Sequence, residues 1–347
     1  MANIAKRVLI KSRDKLLTKV IDSLQHTNGA IEKSTAQQLA ILQTIQDQIE
    51  VLKYESSMRD FEIDQRLKNS GTIQVSASEL ITKTFSGLKI YLDPRDISVT
   101  PHLALDSIWE YHITAAWRGV VKPHDTVIDI GANFGYFGAL AAQMTDKKDS
   151  KVVFFEANPA LIPYIRKTLS VNWLNEQSVV ENLAVSDKEG TATLHVLKDY
   201  IGSSSLLATK HIDSYMHEKM HIVETESSVD VPATTLDAYC KKHKIGTVDL
   251  IKMDIEGFED KAYDGMRQII KASPHATLFV EFTKESYSDP RDFYDKMLED
   301  FKYVYLINSS GALIPQSKTD YESVIGNPED WIMPVFSKNK NLAAPGI

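Results

Sequence analysis

From residue 120 onward the chain alternates short, uninterrupted apolar runs with stretches of helical periodicity, and that alternation restricts it to few architectures. The runs fall at residues 126–130, 152–156, 179–184, 248–254, 276–282 and 303–307, the first three separated by helical stretches at 133–145 and 159–173. A strand covered on one face alternates apolar with polar residues, whereas a run apolar throughout is covered on both. The pattern predicts an α/β fold, a doubly wound and mostly parallel sheet whose ligands bind beyond the carboxyl ends of the strands. Side chains at those ends are therefore the candidates for chemistry.

Residues 1–70 read differently. Across 17–52, Ile21, Asn28, Thr35, Leu42 and Ile49 share one heptad position, and Leu24, Ile31, Gln38, Ile45 and Leu52 share the other. Such a stripe predicts a coiled coil joining copies of the chain into a homo-oligomer, with Asn28 fixing register; an amphipathic helix packed on its own domain is the plainer reading. Ahead of it Lys6, Arg7, Lys11, Arg13, Lys15 and Lys19 interleave with Ile4, Val8, Leu9, Leu16 and Leu17. This basic amphipathic helix suits a membrane surface or an assembly partner, although a charge run is often only a solvated face. Asn69-Ser70-Gly71 ends the pattern, so two domains are expected, 1–70 and 71–347.

Charge and cysteine content narrow the function classes. Lys+Arg 39 against Asp+Glu 47 gives a net charge of −8, which repels nucleic-acid phosphates. The single cysteine, Cys240, excludes an internal disulfide and a cysteine-cluster zinc site and suits a reducing compartment. No apolar run reaches the roughly 18 residues of a spanning helix, and no signal-peptide core opens the chain. A cytoplasmic protein is expected, with peripheral contact at the inner membrane face if the basic helix binds lipid.

After the first run comes Asp129-Ile130-Gly131-Ala132-Asn133-Phe134-Gly135, a strand end, a glycine turn and a helix start. Glycines at 131 and 135 allow close backbone approach to a ligand, and free amides at the helix start favour anionic groups. A dinucleotide fingerprint needs glycine where Asn133 stands, which disfavours a nicotinamide-dependent oxidoreductase. Asp129 and Asn133 instead suit an amine-bearing, carboxylate-bearing or cationic ligand, and S-adenosylmethionine carries all of these groups. The second run ends in Glu156-Ala157-Asn158-Pro159; a carboxylate there accepts hydrogen bonds from both ribose hydroxyls, while the pair Glu156 and Asn158 could also simply cap the next helix.

The run 248–257 carries Lys252, Asp254 and Glu256 at alternate positions, so an extended strand places all three on one face. Unpaired charge is not tolerated in a strand buried on both sides, so these groups must pair with one another, meet a ligand, or both. The neighbouring run ends in a further carboxylate, Glu281.

These motifs resemble the FkbM family of methyltransferases. The resemblance rests on Asp129 to Gly135, Glu156, Asn182-Leu183-Ala184-Val185-Ser186, Gly202-Ser203-Ser204-Ser205-Leu206, Thr235-Leu236-Asp237 and Asp249 to Gly257, in family order over residues 87–283. It implies a class I, Rossmann-like sheet of seven strands with the last antiparallel, S-adenosylmethionine as cofactor, and O-methylation of a hydroxyl, commonly on a sugar of a surface polysaccharide, glycolipid or glycosylated metabolite. Under it the cofactor site comprises Glu110, Asp129, Gly131, Asn133, Gly135, Glu156, Asn158 and Asn182, with Glu110 at the methionine end, and the catalytic set is Lys252, Asp254, Glu256 and Glu281.

Methylation of a hydroxyl requires loss of its proton, so Asp254 and Glu256 are alternative bases, while Asp254, Glu256 and Glu281 together could hold a divalent metal such as Mg²⁺. Residues 199–230, with Tyr200, His211, His217 and His221, read as a lid over the acceptor; the histidine spacing does not suit zinc. Trp109 and Trp173 could stack on a sugar but read equally as core residues. A coiled-coil interaction protein whose methyltransferase-like domain is inert is the alternative of a different class.

Overall fold

A computed structural model describes residues 18–19, 71–197, 206, 226–318, 332–340 and 342. The coiled-coil segment, Tyr200, residues 202–205 and the three lid histidines lie outside the described residues. The chain divides into two units, Met1–Ser57 and Met58–Ile347, and the account below concerns the second. Among the described residues no helix is long and apolar enough to cross a membrane.

In chain order the elements are β1 (Ile73–Ser76), β2 (Glu79–Lys83), β3 (Lys89–Leu92), α1 (Thr100–Asp106), α2 (Tyr111–Val120), β4 (Thr126–Ile130), α3 (Tyr136–Met144), β5 (Lys151–Phe155) and α4 (Ile162–Val171). There follow β6 (Ser178–Glu181), β7 (Ala184–Val185), β8 (Gly190–Leu197), β9 (Glu226–Thr234), α5 (Leu236–His243), β10 (Leu250–Met253), α6 (Glu259–Asp264), α7 (Arg267–Ala272) and β11 (Thr277–Val280). The last are α8 (Pro290–Asp300), β12 (Tyr303–Ile307), β13 (Leu313–Gln316) and β14 (Val335–Ser337).

The main sheet runs β13-β12-β14-β11-β10-β4-β5-β6. Strands β6, β5, β4, β10 and β11 are mutually parallel, and β14 lies antiparallel between β11 and β12. The expected doubly wound sheet is present, but it has eight strands rather than seven. The additional strand, β13, pairs antiparallel with β12 at the sheet edge through a turn at Asn308–Gly311, whose Asn308 Oδ1 accepts from the amides of Ser310 and Ala312. Pro315 within it is tolerated because an edge strand has one side without ladder partners. Two three-stranded sheets, β1-β2-β3 and β7-β9-β8, flank the main one.

Each parallel strand feeds two cores. Val127 of β4, Val152 and Phe154 of β5, Leu250 of β10 and Phe279 of β11 join the cluster on one face. Ile128, Ile130, Val153, Phe155, Ile251, Met253, Leu278 and Val280 join the other. Burying each of these side chains is worth roughly 1.5–3 kcal/mol, which is why the runs are apolar throughout. Two side chains interrupt the first face, Asp129 of β4 and Lys252 of β10, and they are register partners on adjacent strands. A charge in each of two neighbouring central strands marks the carboxyl end of the sheet as the place where packing has given way to something else.

Candidate active site

The loop after β4 is held by backbone. The amides of Gly131 and Ala132 both donate to the Phe155 carbonyl, at 2.9 and 3.0 Å. Gly131 adopts φ +78°, and a Cβ on it would lie 1.8 Å from the carbonyl oxygen of Asp254. The glycine is thus required by the crossing of two backbone loops, not by approach of a ligand, which corrects the sequence expectation, although Gly131 does line the cleft described below. Gly135 adopts φ +83° with Ile165 of α4 against it, and it is not among the cleft residues.

Asp129 is buried, and its Oδ2 accepts from the Gly138 amide at 2.7 Å, satisfying one of the free N–H groups in the first turn of α3. Its Oδ1 has no hydrogen-bond partner among the described residues. Burial pushes the carboxyl up to about 6, against the opposing charge of Lys252 and the Gly138 amide.

Glu156 stands at the end of β5, 7% exposed. Its Oε2 accepts from the Asn133 amide and its Oε1 from the Asn158 amide, both at 2.7 Å. Burial raises it to about 7; the two amides lower it, and Asp129 and Asp254 add repulsion. Asn182 does not line the cleft; its Nδ2 donates to the carbonyls of Glu156 and Ala157 at 2.8 and 2.9 Å, so it positions the loop carrying Glu156. Asn158 is likewise outside the cleft, with its Oδ1 accepting from Ala160 in the turn that leads to α4. Neither residue caps α4, whose N-cap is Leu161 without a side-chain bond; Asn158 closes the turn before it, and the Glu156 carboxylate still has lone pairs to offer.

Lys252 is 3% exposed, and its Nζ donates to Asp254 Oδ2 at 2.6 Å and sits 4.6 Å from the centroid of the Phe137 ring. Burial pushes its ammonium pKa down, but Asp254, Glu110 and Asp129 outweigh burial and hold it charged. Glu110, at the start of α2 in a left-handed conformation with φ +42°, is raised by burial, lowered by Lys252 and raised by Asp254. Its Oε2 is buried without a hydrogen-bond partner among the described residues. Strand β10 ends at Met253, so the strand alternation expected to carry Glu256 does not reach it. Glu256 and Gly257 turn through left-handed backbone at φ +57° and +96°, and the turn brings Glu256 to the cleft by another route.

Glu281 follows β11, with its amide on the Met253 carbonyl at 2.8 Å. Its carboxyl is raised well above the usual range by burial and then by Asp254, Glu256, Glu259 and Glu110. The expected metal set of Asp254, Glu256 and Glu281 does not converge: among the described residues the group of three whose ligand atoms lie within 4.8 Å of one another is His124, Asp146 and Asp149, all exposed. Trp109 is half-buried against the core, with its ring 5.2 Å from His102, while Trp173 is exposed.

Sequence reasoning missed Glu259 and Tyr287. Glu259 is fully buried; its Oε1 accepts from the amides of Ile255 and Gly257 at 2.8 and 3.3 Å, and its Oε2 accepts from the Tyr287 hydroxyl at 2.8 Å. The available signal was an acid just beyond the glycine of the charged run, at the start of a short helix.

The strand ends together enclose a cleft. Its lining includes the polar Asn133, Glu156, Asp254 and Glu256 with Gly131, and the apolar Ile130, Phe155, Leu183, Val185, Leu194 and Leu206. Lys252, Glu110 and Asp129 do not line it and interact electrostatically with Asp254, which does.

Residues 129–305 match the family profile described as "Methyltransferase FkbM domain". The chain is 25% identical over 156 residues to the 2-O-methyltransferase NoeI of Sinorhizobium fredii (strain NBRC 101917 / NGR234), an alignment covering 43% of this chain and 60% of that protein. It thus spans less than two thirds of the curated relative's length. Similar solved structures include the methyltransferase FkbM of Methylobacillus flagellatus KT, at 14% identity and TM-score 0.39 over 62% of this chain and 44% of that one. A SAM-dependent O-methyltransferase of Thermotoga maritima aligns at 12% identity and TM-score 0.38 over 74% and 77%.

Proposed function

Because the chain belongs to the FkbM methyltransferase family, we propose that it transfers a methyl group from S-adenosylmethionine to a hydroxyl of a sugar, on a surface polysaccharide, glycolipid or glycosylated metabolite. The observation that carries this reading is the cleft, lined by apolar side chains together with Glu156, Asp254 and Glu256, at the carboxyl ends of β4, β5 and β10. Its lining fits the cofactor: Glu156 for vicinal ribose hydroxyls, and Ile130, Phe155, Leu183 and Leu206 for a planar base. The 2-O-methyltransferase activity in the name of the Sinorhizobium relative supports a hydroxyl acceptor.

When bound, S-adenosylmethionine supplies an electrophilic methyl on a sulfonium. The protein's part is to hold, orient and accept a proton. Glu156, fixed by two amides, orients the ribose. Asp254 Oδ2 already accepts from Lys252 Nζ at 2.6 Å, so of the two bases read from the sequence, both of which line the cleft, Glu256 is the one we assign to the acceptor hydroxyl. Burial, then Asp254 and Glu256, hold the neighbouring Glu281 carboxyl well above the usual carboxylate range, which favours its neutral form. In this proposal the heptad segment joins copies of the chain, and the basic helix before it meets the membrane or a glycan-assembly partner.

Titration calorimetry of the full chain with S-adenosylmethionine tests the reading directly. Saturable binding that Glu156→Ala removes is expected, together with loss of one methyl increment from the glycans of a deletion strain by mass spectrometry. Absence of binding at millimolar cofactor would refute the assignment.

A further inference from the structure

We propose that Glu259 and Tyr287 form a brace that sets the Ile255–Gly257 turn and so places the Glu256 carboxylate at the cleft; the inference rests on the methyltransferase reading above. Glu256 is not glycine, yet it adopts φ +57° and is followed at once by Gly257 at φ +96°. Left-handed backbone disfavours a residue with a Cβ, so such a conformation persists only where surrounding contacts over-determine it. One side chain supplies two of those contacts. A single oxygen of Glu259 accepts the amides on both sides of Glu256, those of Ile255 at 2.8 Å and Gly257 at 3.3 Å.

The other oxygen of Glu259 accepts from Tyr287, whose hydroxyl also lies 3.2 Å from the Glu281 carbonyl. The brace therefore ties the turn after β10 to the end of β11, the two places that present carboxylates to the reacting centre. On its opposite side the turn is fixed by the Asp254 carbonyl packed against Gly131.

Packing alone does not account for an acid here. Glu259 is fully buried and adds its charge to a field already holding Glu281, Asp254 and Glu256, a costly place for a carboxylate. Three simultaneous donors are what a carboxylate can satisfy and an apolar side chain cannot. Its first-turn position in α6 would allow it to serve its own helix, yet it turns back to the preceding loop instead. Glu259 and Tyr287 touch neither cofactor nor acceptor in this assignment; they are positioning residues that act through Glu256.

The test is transfer of radiolabelled methyl from saturating S-adenosylmethionine to glycans isolated from a deletion strain, read as a pH–rate profile for the full-chain wild type, Glu259→Ala, Glu259→Gln, Tyr287→Phe, Glu256→Ala and the Glu256→Ala/Glu259→Ala double variant, with calorimetry of cofactor binding alongside. Glu259→Ala is expected to lower the rate about tenfold or more while cofactor affinity stays within about threefold of wild type, and Glu259→Gln, which keeps an acceptor for the two amides, to stay within about threefold in both. The double variant should transfer no more slowly than Glu256→Ala alone, because one residue acts through the other. Independent losses that multiply in the double variant, or a Glu259→Ala rate within about threefold of wild type, would overturn the proposal. If melting curves show Glu259→Ala unfolded, Tyr287→Phe decides: a rate loss of about threefold or more supports the brace and an unchanged rate removes it. Failure of the wild type to bind S-adenosylmethionine instead sinks the methyltransferase reading, and the brace with it.

Discussion

Replacing Lys252 with methionine removes the cation that, among the described residues, acts on Asp254, Glu110 and Asp129 together. The ammonium is 3% exposed, 2.6 Å from Asp254 and 4.6 Å from the Phe137 ring centroid. Breaking a buried ion pair by deleting one partner costs about 3–5 kcal/mol, since the remaining charge keeps its desolvation penalty and loses its compensation. Loss of the ring contact adds about 0.5–2 kcal/mol, partly returned by methionine, which fills a similar volume and packs well against aromatics. A net loss of about 3–5 kcal/mol is therefore expected near pH 8, read as a lower urea midpoint of the main unfolding transition.

The pH dependence carries the sharper part of the prediction. Asp129 and Glu110 are raised by burial, and Lys252 lowers both. Without it they rise further. A carboxylate whose folded-state pKa exceeds its unfolded value destabilises fully above that folded pKa, and the penalty declines between the folded and the unfolded values. The deficit of Lys252→Met should thus shrink as pH falls toward about 5, through and below the value of about 6 that Asp129 has with Lys252 present. A Lys252→Met/Asp254→Asn double variant should recover part of the loss even at about pH 8, because neither partner is then charged. A deficit under about 1 kcal/mol, or one that is the same at both pH values, would refute the view of Lys252 as the counter-ion of this cluster.

Two further outcomes follow from the loop geometry and from Glu156. Gly131→Ala puts a methyl 1.8 Å from the Asp254 carbonyl at φ +78°, so strain of about 1–2 kcal/mol from the conformation adds to about 1–3 kcal/mol from displaced backbone; an unaltered urea midpoint would show that the two loops do not meet this way. Glu156 is raised to about 7 and must be ionised to accept from both ribose hydroxyls, so cofactor affinity should fall as pH drops below 7 in the wild type; in Glu156→Gln calorimetry should find weak binding without that slope.

The parallel part of the sheet was legible because period and burial coincide in it. Both predicted runs at 126–130 and 303–307 match β4 and β12 residue for residue, and strands apolar on both faces proved to feed two separate cores. The edge was not legible. Strand β13 contains Pro315, a residue that argues against a strand unless its position at the edge is already known, and β14 is three residues inserted between β11 and β12 from far along the chain. Neither position is a local property of the sequence around it.

The same division holds at the site. Charge in an otherwise apolar strand identified Lys252 and Asp129 because desolvation is a local cost that sequence exposes at once. The geometry of Glu256 was missed because side-chain alternation holds only while the strand continues, and β10 ends at Met253. What stops it is the left-handed pair at 256 and 257, and what permits that pair is a carboxylate whose hydroxyl partner, Tyr287, arrives from beyond the next strand. Period-two reasoning thus brought Glu256 to the right end of the sheet for the wrong reason. The turn gives it a direction independent of the pleat, set by the contacts that hold residues 255–257 and not by the period of β10.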